Sequence, residues 1–221
     1  MGSLVLQEVR GRVASRRETR VYRRPTGIPV ERHGAEKIRR DALEDLLAYQ
    51  PTKSGASRQA FLSDALERLE GGQHVYTHAV NGRLMHAAWL MERGGRDDLW
   101  CPGLVLPPKS VRVDVAYTRD GADGERSAVR CLEAILAGAK DLTEADAIFI
   151  RVDDDGDAAR RRVEAAGFAH VGSFVDRVTL GYRRRRAAGF APELITPPAD
   201  AGSPPVEAVP RHRNEVSPSV P

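Results

Sequence analysis

Residues 111–168 read VRVDVAYTRDGADGERSAVRCLEAILAGAKDLTEADAIFIRVDDDGDAARRRVEAAGF. The valine-rich alternation of Val111–Thr118 predicts a strand, and the apolar period of Arg126–Ala139 predicts an amphipathic helix. Ala147–Val152 is a short, nearly continuous apolar run that predicts a second strand, and a second helix ends at Gly167-Phe168. A strand, a helix and a strand of this length predict a parallel pair joined by a right-handed crossover.

This order and spacing resemble the core of the GCN5-related N-acetyltransferases, and the resemblance covers roughly Glu18 to Arg184. It implies an α/β (α+β) fold, with a mixed, mostly antiparallel sheet, a central parallel strand pair that is splayed apart, and helices on both faces. In that family the splayed strands admit the pantetheine arm of acyl-coenzyme A (acyl-CoA), and amides at the start of the first helix hold its pyrophosphate. The resemblance therefore implies acetyl-CoA or another acyl-CoA as co-substrate, and an N-acyltransferase acting on an amine of a small molecule or sugar-type substrate.

The turn before the first helix allows two alignments with the family pattern, which is Arg or Gln, two residues, Gly, one residue, then Gly or Ala. Alignment on Leu132–Leu136 makes the turn Asp123–Ala128, with Arg126 at the first glycine position. The other register starts at Arg119 and places Ala122 and Gly124 at the two small positions. Small residues are needed there because backbone amides must approach a phosphate closely. The cofactor-binding residues that the resemblance implies are Tyr117, Thr118, Gly124, Arg126, Ser127 and Ala128.

The helix Asp157–Phe168 keeps the family's length and its Gly-Phe end, but Val163 stands where the family commonly has Tyr. That Tyr protonates the departing thiolate, and valine has no proton to give. Asp123, in place of the basic residue of the turn, is a second departure from the pattern of a cofactor-binding enzyme. The alternative to an enzyme is therefore a non-catalytic binding module that kept the fold and lost cofactor binding.

Two side chains are candidates for the base that deprotonates an amine. Asp114, on a strand otherwise built of valine, is the first; its structural alternative is a carboxylate paired with arginine. His86, predicted in the middle of a strand, is the second. His74 and His78 have a spacing that could ligate a metal, but without a third ligand no metal site is predicted.

Asn81-Gly82 predicts a two-residue hairpin turn, because both positions accept positive φ. The turn sets the predicted register, in which Val80 opposes Arg83, His78 opposes Met85, Thr77 opposes His86, Tyr76 opposes Ala87 and His74 opposes Trp89. One face then carries His74, Tyr76, His78, Met85 and Trp89, and the other carries Val75, Thr77, Leu84 and His86.

The rest of the chain predicts one domain with two tails: an N-terminal arm over residues 1–17, the acyltransferase-like domain over 18–186, and a disordered tail rich in Pro and Ala over 187–221. The first strand is predicted at Thr19–Arg24, and helices at Asp41–Tyr49 and Ser57–Leu69. The apolar loop Glu92–Ser110 is either a cover near the acyl end of the cleft or a packed crossover.

The composition limits the kinds of partner that the sequence predicts. The net charge of +3 comes mainly from arginine, but acidic residues alternate with it and only 5% of residues are aromatic, so nucleic acid is not favoured. Cys101 and Cys131 form no disulfide framework. No apolar run is long enough for a membrane span or a signal peptide, which predicts a cytoplasmic protein with no membrane partner. A homodimer is left open.

Overall fold

The computed structural model describes residues 14–30, 37–52, 55–92, 100–142, 144–153, 156–179 and 182–195. Its elements, in chain order, are β1 (Ala14–Pro25), β2 (Arg39–Arg40), α1 (Leu43–Leu47), α2 (Arg58–Glu70), β3 (His74–Val80), β4 (Arg83–Glu92), β5 (Ser110–Thr118), α3 (Ala122–Leu142), β6 (Ala147–Asp153), α4 (Asp157–Ala165), β7 (Ala169–Thr179), β8 (Tyr182–Ala188) and a 3-10 helix (Pro192–Leu194).

The described strands form one eight-stranded sheet in the order β2-β3-β4-β5-β6-β1-β7-β8. Among these strands β5 and β6 are the parallel pair, and the other neighbours are antiparallel. The strand-helix-strand pattern of residues 111–168 thus forms the crossover that the sequence predicts, with α3 between the two parallel strands. The predicted mixed α+β fold with helices on both faces is confirmed.

Each face of the sheet has its own hydrophobic core. The face covered by α1 and α2, called the α2 face, buries Leu46, Phe61, Val75, Trp89 and Phe149. The face covered by α3 and α4, called the α3 face, buries Leu132, Ile135, Ile148, Val163 and Phe168. Complete burial of one such side chain contributes roughly 1.5–3 kcal/mol to folding. The apolar stripe that predicts α3 is therefore also what holds it to the sheet.

The hairpin prediction is correct at the turn and wrong beyond it. Asn81 and Gly82 have positive φ, and Val80 pairs with Arg83. After Leu84, however, Met85 is an extra residue in β4, so His86 pairs with His78. One extra residue moves every later side chain of a strand to the other face.

Because of the bulge at Met85, the predicted assignment of side chains to the two faces is wrong beyond Leu84. Trp89 pairs with Val75 and lies in the core of the α2 face, not beside His74 and Tyr76. His86 lies on the α3 face together with His78, not beside Thr77. The bulge is therefore what turns His86 towards α3.

Described structure extends beyond both predicted domain limits. β1 begins at Ala14, inside the predicted arm, whereas residues 1–13 lie outside the described residues. β8 ends at Ala188, Leu194 is buried in the core of the α2 face, and Ile195 forms an isolated bridge with Leu104. Described structure therefore continues past residue 187 to Ile195. The rest of the predicted tail, residues 196–221, lies outside the described part. No helix of the described residues is both long and apolar enough to cross a membrane.

The loop before β5 is described from Trp100 onwards. Trp100, Leu104 and Leu106 are buried in the core of the α2 face. The amide of Val105 donates a hydrogen bond of 2.9 Å to the carbonyl of Leu194. This part of the loop is a packed segment of the α2 face. Residues 93–99, in the middle of the predicted loop, lie outside the described part.

Candidate active site

The parallel strands β5 and β6 separate halfway along their length. Their pairing runs from Ser110 with Ala147 to Val113 with Ile150 and ends there. Beyond that point β5 follows β4, and β6 stays paired with β1 as far as Asp153. The register between β4 and β5 shifts at the same place, because Ala116 is an extra residue in β5. A bulge bends its strand and increases the local twist, which accounts for the gap. The predicted splaying is confirmed.

A cavity of about 380 Å³, called the cleft, occupies this gap between the sheet, α3 and α4. Its apolar walls include Val113, Leu132, Ile135, Ile150 and Val163. Its polar lining includes His86, Thr118, Glu125 and Arg162. The walls of the cleft are therefore mainly apolar, and these four residues form a polar end close to the start of α3. Asp114, Arg151 and Asp153 also line the cleft.

The turn into α3 is shaped by two glycines. Gly121 has a φ of 100°, and its carbonyl accepts the first helical hydrogen bond, from the amide of Glu125 at 3.1 Å. A Cβ atom on Gly124 would lie 1.8 Å from the carbonyl oxygen of Arg119, so only glycine fits there. The amide of Arg119 is held by the carbonyl of the bulge residue Met85 at 2.9 Å. The bulge at Met85 thus anchors the turn.

The start of α3 distinguishes the two alignments of this turn. The helix begins at Ala122, whereas the sequence predicts a start near Arg126. In the register from Arg119, Ala122 and Gly124 lie in the first helical turn, whose amides have no partner within the helix. In the register from Asp123, residues 126–128 lie further inside the helix. The geometry therefore fits the register from Arg119.

The six residues predicted to bind the cofactor are only partly brought together. Thr118 and Ala128 line the cleft, and Gly124 lies in the first turn of α3. Ser127 is buried, and its hydroxyl donates to the carbonyl of Asp123 at 2.7 Å and lies 2.8 Å from Nδ1 of His78. Tyr117 faces the α2 side, where its ring meets the rings of Tyr49 and Phe61 edge-on. The side chains of Ser127 and Tyr117 are thus engaged in contacts with other residues of the protein.

Two ion pairs neutralise the acidic residues at the start of α3. Arg126 pairs with Asp123 on the exposed side of the helix. Arg162 of α4 donates a hydrogen bond of 2.6 Å to Glu125, and both side chains line the cleft. The sequence pattern does not indicate that Arg162 and Glu125 form a pair. No local signal could have done so, because they lie on different helices 37 positions apart.

His86 is buried at the polar end of the cleft. Its Nδ1 lies 2.8 Å from the hydroxyl of Thr118. Burial, with smaller contributions from the charge of Arg162 and from His78, lowers the pKa of His86 to about 3. The imidazole is therefore neutral near pH 7 and can accept or donate a hydrogen bond, but it is a weak proton acceptor.

Asp114 points to the α2 face, on the strand position opposite Trp89. One carboxylate oxygen accepts a hydrogen bond of 3.0 Å from Arg68, and the other lies 3.6 Å from Arg151. Asp114 also lines the cleft, but it lies on the opposite face of the sheet from His86. The two candidate bases are therefore not a catalytic pair. The contacts of Asp114 are those of a carboxylate paired with arginine, which is the structural alternative to a base.

The remaining candidates form no further site. Among the described residues, His, Cys, Asp and Glu side chains do not gather in any group of three or more that could hold a metal ion. Cys101 is buried, and burial raises the pKa of its thiol to about 11. Burial also raises the pKa of Cys131. Neither thiol has the thiolate character of a nucleophile near pH 7.

Comparison with known proteins supports the fold. The structure superposes on a GCN5-related N-acetyltransferase from Sphaerobacter thermophilus with a TM-score of 0.51 and 11% identity, over 80% of this chain and 56% of that one. An acetyltransferase of the same family from Colwellia psychrerythraea gives a TM-score of 0.47 at 12% identity, over 86% of this chain and 63% of the other. A conserved protein of unknown function from Staphylococcus epidermidis gives 0.46 at 10% identity, over 82% and 69%.

No protein-family model matches the sequence, and no curated protein matches it. The structural likeness is therefore to the shape alone. The splayed parallel pair, the cleft and the superposition together show that this chain has the fold of the GCN5-related N-acetyltransferases. It spans little more than half the length of the Sphaerobacter structure.

Proposed function

We propose that the protein is an acyl-CoA-dependent N-acyltransferase that transfers an acyl group, with acetyl as the simplest case, to the amine of a small molecule. The observation that carries this proposal is the cleft itself. It lies between splayed parallel strands and ends at a glycine-shaped helix start, which is the combination that an extended thioester with a phosphorylated end requires.

The backbone of the cleft suits a pantetheine arm. Beyond Val113, β4 is the strand neighbour of β5 within the described structure, and the edge of β5 that faces β6 has no strand partner there. An amide-bearing chain can add to such an edge as an extra strand, with main-chain hydrogen bonds supplying affinity. The residues from Asp114 to Thr118 would make these contacts.

The start of α3 suits a pyrophosphate. The first-turn amides of Ala122, Asp123 and Gly124 have no acceptor within the helix, and the helix dipole adds partial positive charge. Gly124 removes the Cβ that would block the turn. Arg126 and Arg162 are the nearby cations, although each is paired with an acidic residue of α3.

Bound acyl-CoA would supply an acyl thioester, and the chain would position it. His86 and Thr118 form a hydrogen-bonded pair at the polar end of the cleft, where they can orient polar atoms of the substrates. Val163 offers no proton to a departing sulfur, so we propose that transfer occurs without a side-chain acid at this position. Asp114 remains the first predicted base, and its two arginine contacts favour an orienting role instead.

Two observations favour the alternative, a non-catalytic module with this fold. Arg162 and Glu125 form an ion pair between α3 and α4 at the cleft, which leaves a carboxylate near the place where phosphates would bind. Val163 lacks the proton donor that the resemblance implies. A module of this kind would keep the cleft but form no product.

Calorimetric titration with acetyl-CoA tests the proposal without knowledge of the acceptor. Wild type should bind, and Ala158→Trp, which places an indole at the cleft from an exposed position on α4, should lose binding. Ala56→Trp, exposed before α2 on the other side of the sheet, is the matched control and should bind like wild type. Thiol release over a panel of amines then separates the enzyme from the module. No acetyl-CoA binding by the wild type would exclude the acyltransferase and would favour the module that has lost cofactor binding.

A further inference from the structure

A second cavity, of about 640 Å³, lies on the α2 face next to the gap between β5 and β6. We call it the arginine pocket. Strand register shows which side chains share its face: Arg17 of β1 is opposite Asp176 of β7, which is opposite Arg185 of β8. Directly opposed residues of neighbouring strands point to the same side of a sheet. Arg183 joins them, since it donates to the same carboxylate of Asp176 as Arg185 does.

The pocket has more positive than negative groups on its face. Arg17, Arg151, Arg183 and Arg185 share it with the carboxylates of Asp153 and Asp176. Burial would raise the pKa of Asp176, but the hydrogen bonds from Arg183 and Arg185 outweigh burial and lower the pKa to about 2. Asp153 accepts a hydrogen bond of 2.9 Å from Thr19.

Arg17 is the arginine of this group that has no internal role. Its side chain takes part in no hydrogen bond or ion pair with any residue that the structure describes. It is exposed, so its guanidinium is free to meet a ligand. A planar guanidinium presents paired N–H donors that match a carboxylate or a phosphate.

The arginine pocket meets the cleft at two residues, because Arg151 and Asp153 line both cavities. Arg151 is fixed at this junction by Asp114 and by the carbonyl of Trp100. The start of α3, where phosphates of acyl-CoA would lie, is on the other face of the sheet. The arginine pocket is therefore suited to a second ligand, which approaches the cleft from the opposite side.

From this placement we infer that the arginine pocket binds the anionic group, a carboxylate or a phosphate, of the acceptor amine. The role of the ligand as acceptor rests on the proposed function. The anion site itself depends only on the contacts within the arginine pocket. With the anion held at Arg17, next to the Asp176 pair of Arg183 and Arg185, the amine of a small substrate reaches Arg151 and the cleft. The substrate class is thus an amine that carries an acidic group.

The reaction needs no other reactant. The nitrogen of the neutral amine forms a bond to the thioester carbonyl carbon, the carbon–sulfur bond breaks, and the amine proton ends on the sulfur, giving an amide and free coenzyme A. Positive charge at Arg151 favours the neutral, nucleophilic form of a nearby amine. Arg151, which lines the same pocket as Arg17, therefore makes the amine easier to deprotonate.

The first experiment measures anion binding with no coenzyme A present. Inorganic phosphate and succinate are titrated into wild type, Arg17→Gln and Arg184→Gln. Arg184 is the matched control because it follows Arg183 on β8 and points to the other side of the sheet. We expect Arg17→Gln to weaken binding at least tenfold and Arg184→Gln to leave it unchanged. Equal binding by the two variants, or no binding by wild type, would overturn the anion site.

The second experiment compares acceptors in matched pairs, O-phosphoethanolamine with ethanolamine and β-alanine with propylamine, in the presence of acetyl-CoA. The anionic member of each pair should have a kcat/KM at least tenfold higher, and Arg17→Gln should remove most of that preference. A preference for the uncharged member would overturn the acceptor role. No turnover with any probe would overturn the acceptor role together with the proposed function, and the phosphate and succinate titrations would still decide the anion site.

Discussion

Arg162 of α4 donates a hydrogen bond of 2.6 Å to Glu125 of α3, so that one ion pair joins the two helices beside the cleft. Only 12% of the Arg162 side chain is exposed, against 46% of the Glu125 side chain. The pair has two consequences for an anionic ligand. It occupies the guanidinium, and it leaves a carboxylate near the place where phosphates would bind.

Glu125→Gln should therefore tighten acetyl-CoA binding. The change removes a like charge and frees Arg162, and we expect about a fivefold lower Kd, equivalent to roughly 1 kcal/mol for a partly exposed charge. Calorimetry measures the effect, and its size should shrink as salt is raised. Glu70→Gln, an exposed charge change at the end of α2, is the control and should have no effect. Weaker binding by Glu125→Gln would mean that Glu125 holds Arg162 in its productive position.

Gly124→Ala should destabilise the turn into α3. The new Cβ would overlap the carbonyl of Arg119, which is backbone and cannot rotate away. Overpacking of this kind costs on the order of 1–3 kcal/mol, so we expect a clear fall in Tm together with weaker acetyl-CoA binding. Gly27→Ala is the matched control, because no atom lies within 4 Å of its added Cβ, and its Tm should equal that of wild type. An unchanged Tm for Gly124→Ala would show that the turn differs from the one described.

The neutral state of His86 predicts a pH dependence of stability. Its folded pKa of about 3 is below the ordinary histidine value of 6.5, so the unfolded chain binds the proton more tightly. Its contribution to stability is therefore complete above pH 6.5 and is lost as the pH falls towards the folded pKa. His86→Gln should remove up to about 3 kcal/mol of the difference in unfolding free energy between neutral pH and about pH 4. Urea denaturation across this range checks it, and parallel curves for both proteins would contradict a buried neutral His86.

Val163→Tyr should raise the turnover number if transfer is limited by protonation of the departing sulfur. The position is buried and lines the cleft, so a phenol there can reach the bound thioester. Val163→Phe has nearly the same size without the hydroxyl and is the matched control for steric effects. We expect a higher kcat for the Tyr variant than for the Phe variant. Equal kcat values would show that no proton donor is needed at this position.

Asp114→Asn distinguishes a base from an orienting residue. A base would give a rate loss that fades as the pH rises and the amine loses its proton unaided. Because both oxygens of Asp114 are met by arginines, we expect instead a loss of similar size across about pH 6 to 9, appearing mainly in KM for the acceptor. A loss confined to low pH would restore Asp114 as the base.

Local sequence signals decided much of the fold. Asn81-Gly82 determined the hairpin turn, because few other pairs accept positive φ at both positions. The apolar period of α3, with Ile135 and Leu136 on its inner side, determined that the helix packs on the sheet. The apolar run Ala147–Val152 and the crossover determined the parallel pair. Each of these depends on residues close together in the chain.

The candidate site depended on features that local patterns do not encode. Met85 and Ala116 are ordinary strand residues, and only the pairing of whole strands made them bulges, one turning His86 towards α3 and the other opening the cleft. Likewise, Arg162 met Glu125, and Arg17 came to lie opposite Asp176, only when distant segments came together. The sequence by itself determined the elements and their order, since helix and strand periods are short-range properties. The tertiary structure alone decided strand register and charge partners, because both are set by contacts between residues far apart in the chain.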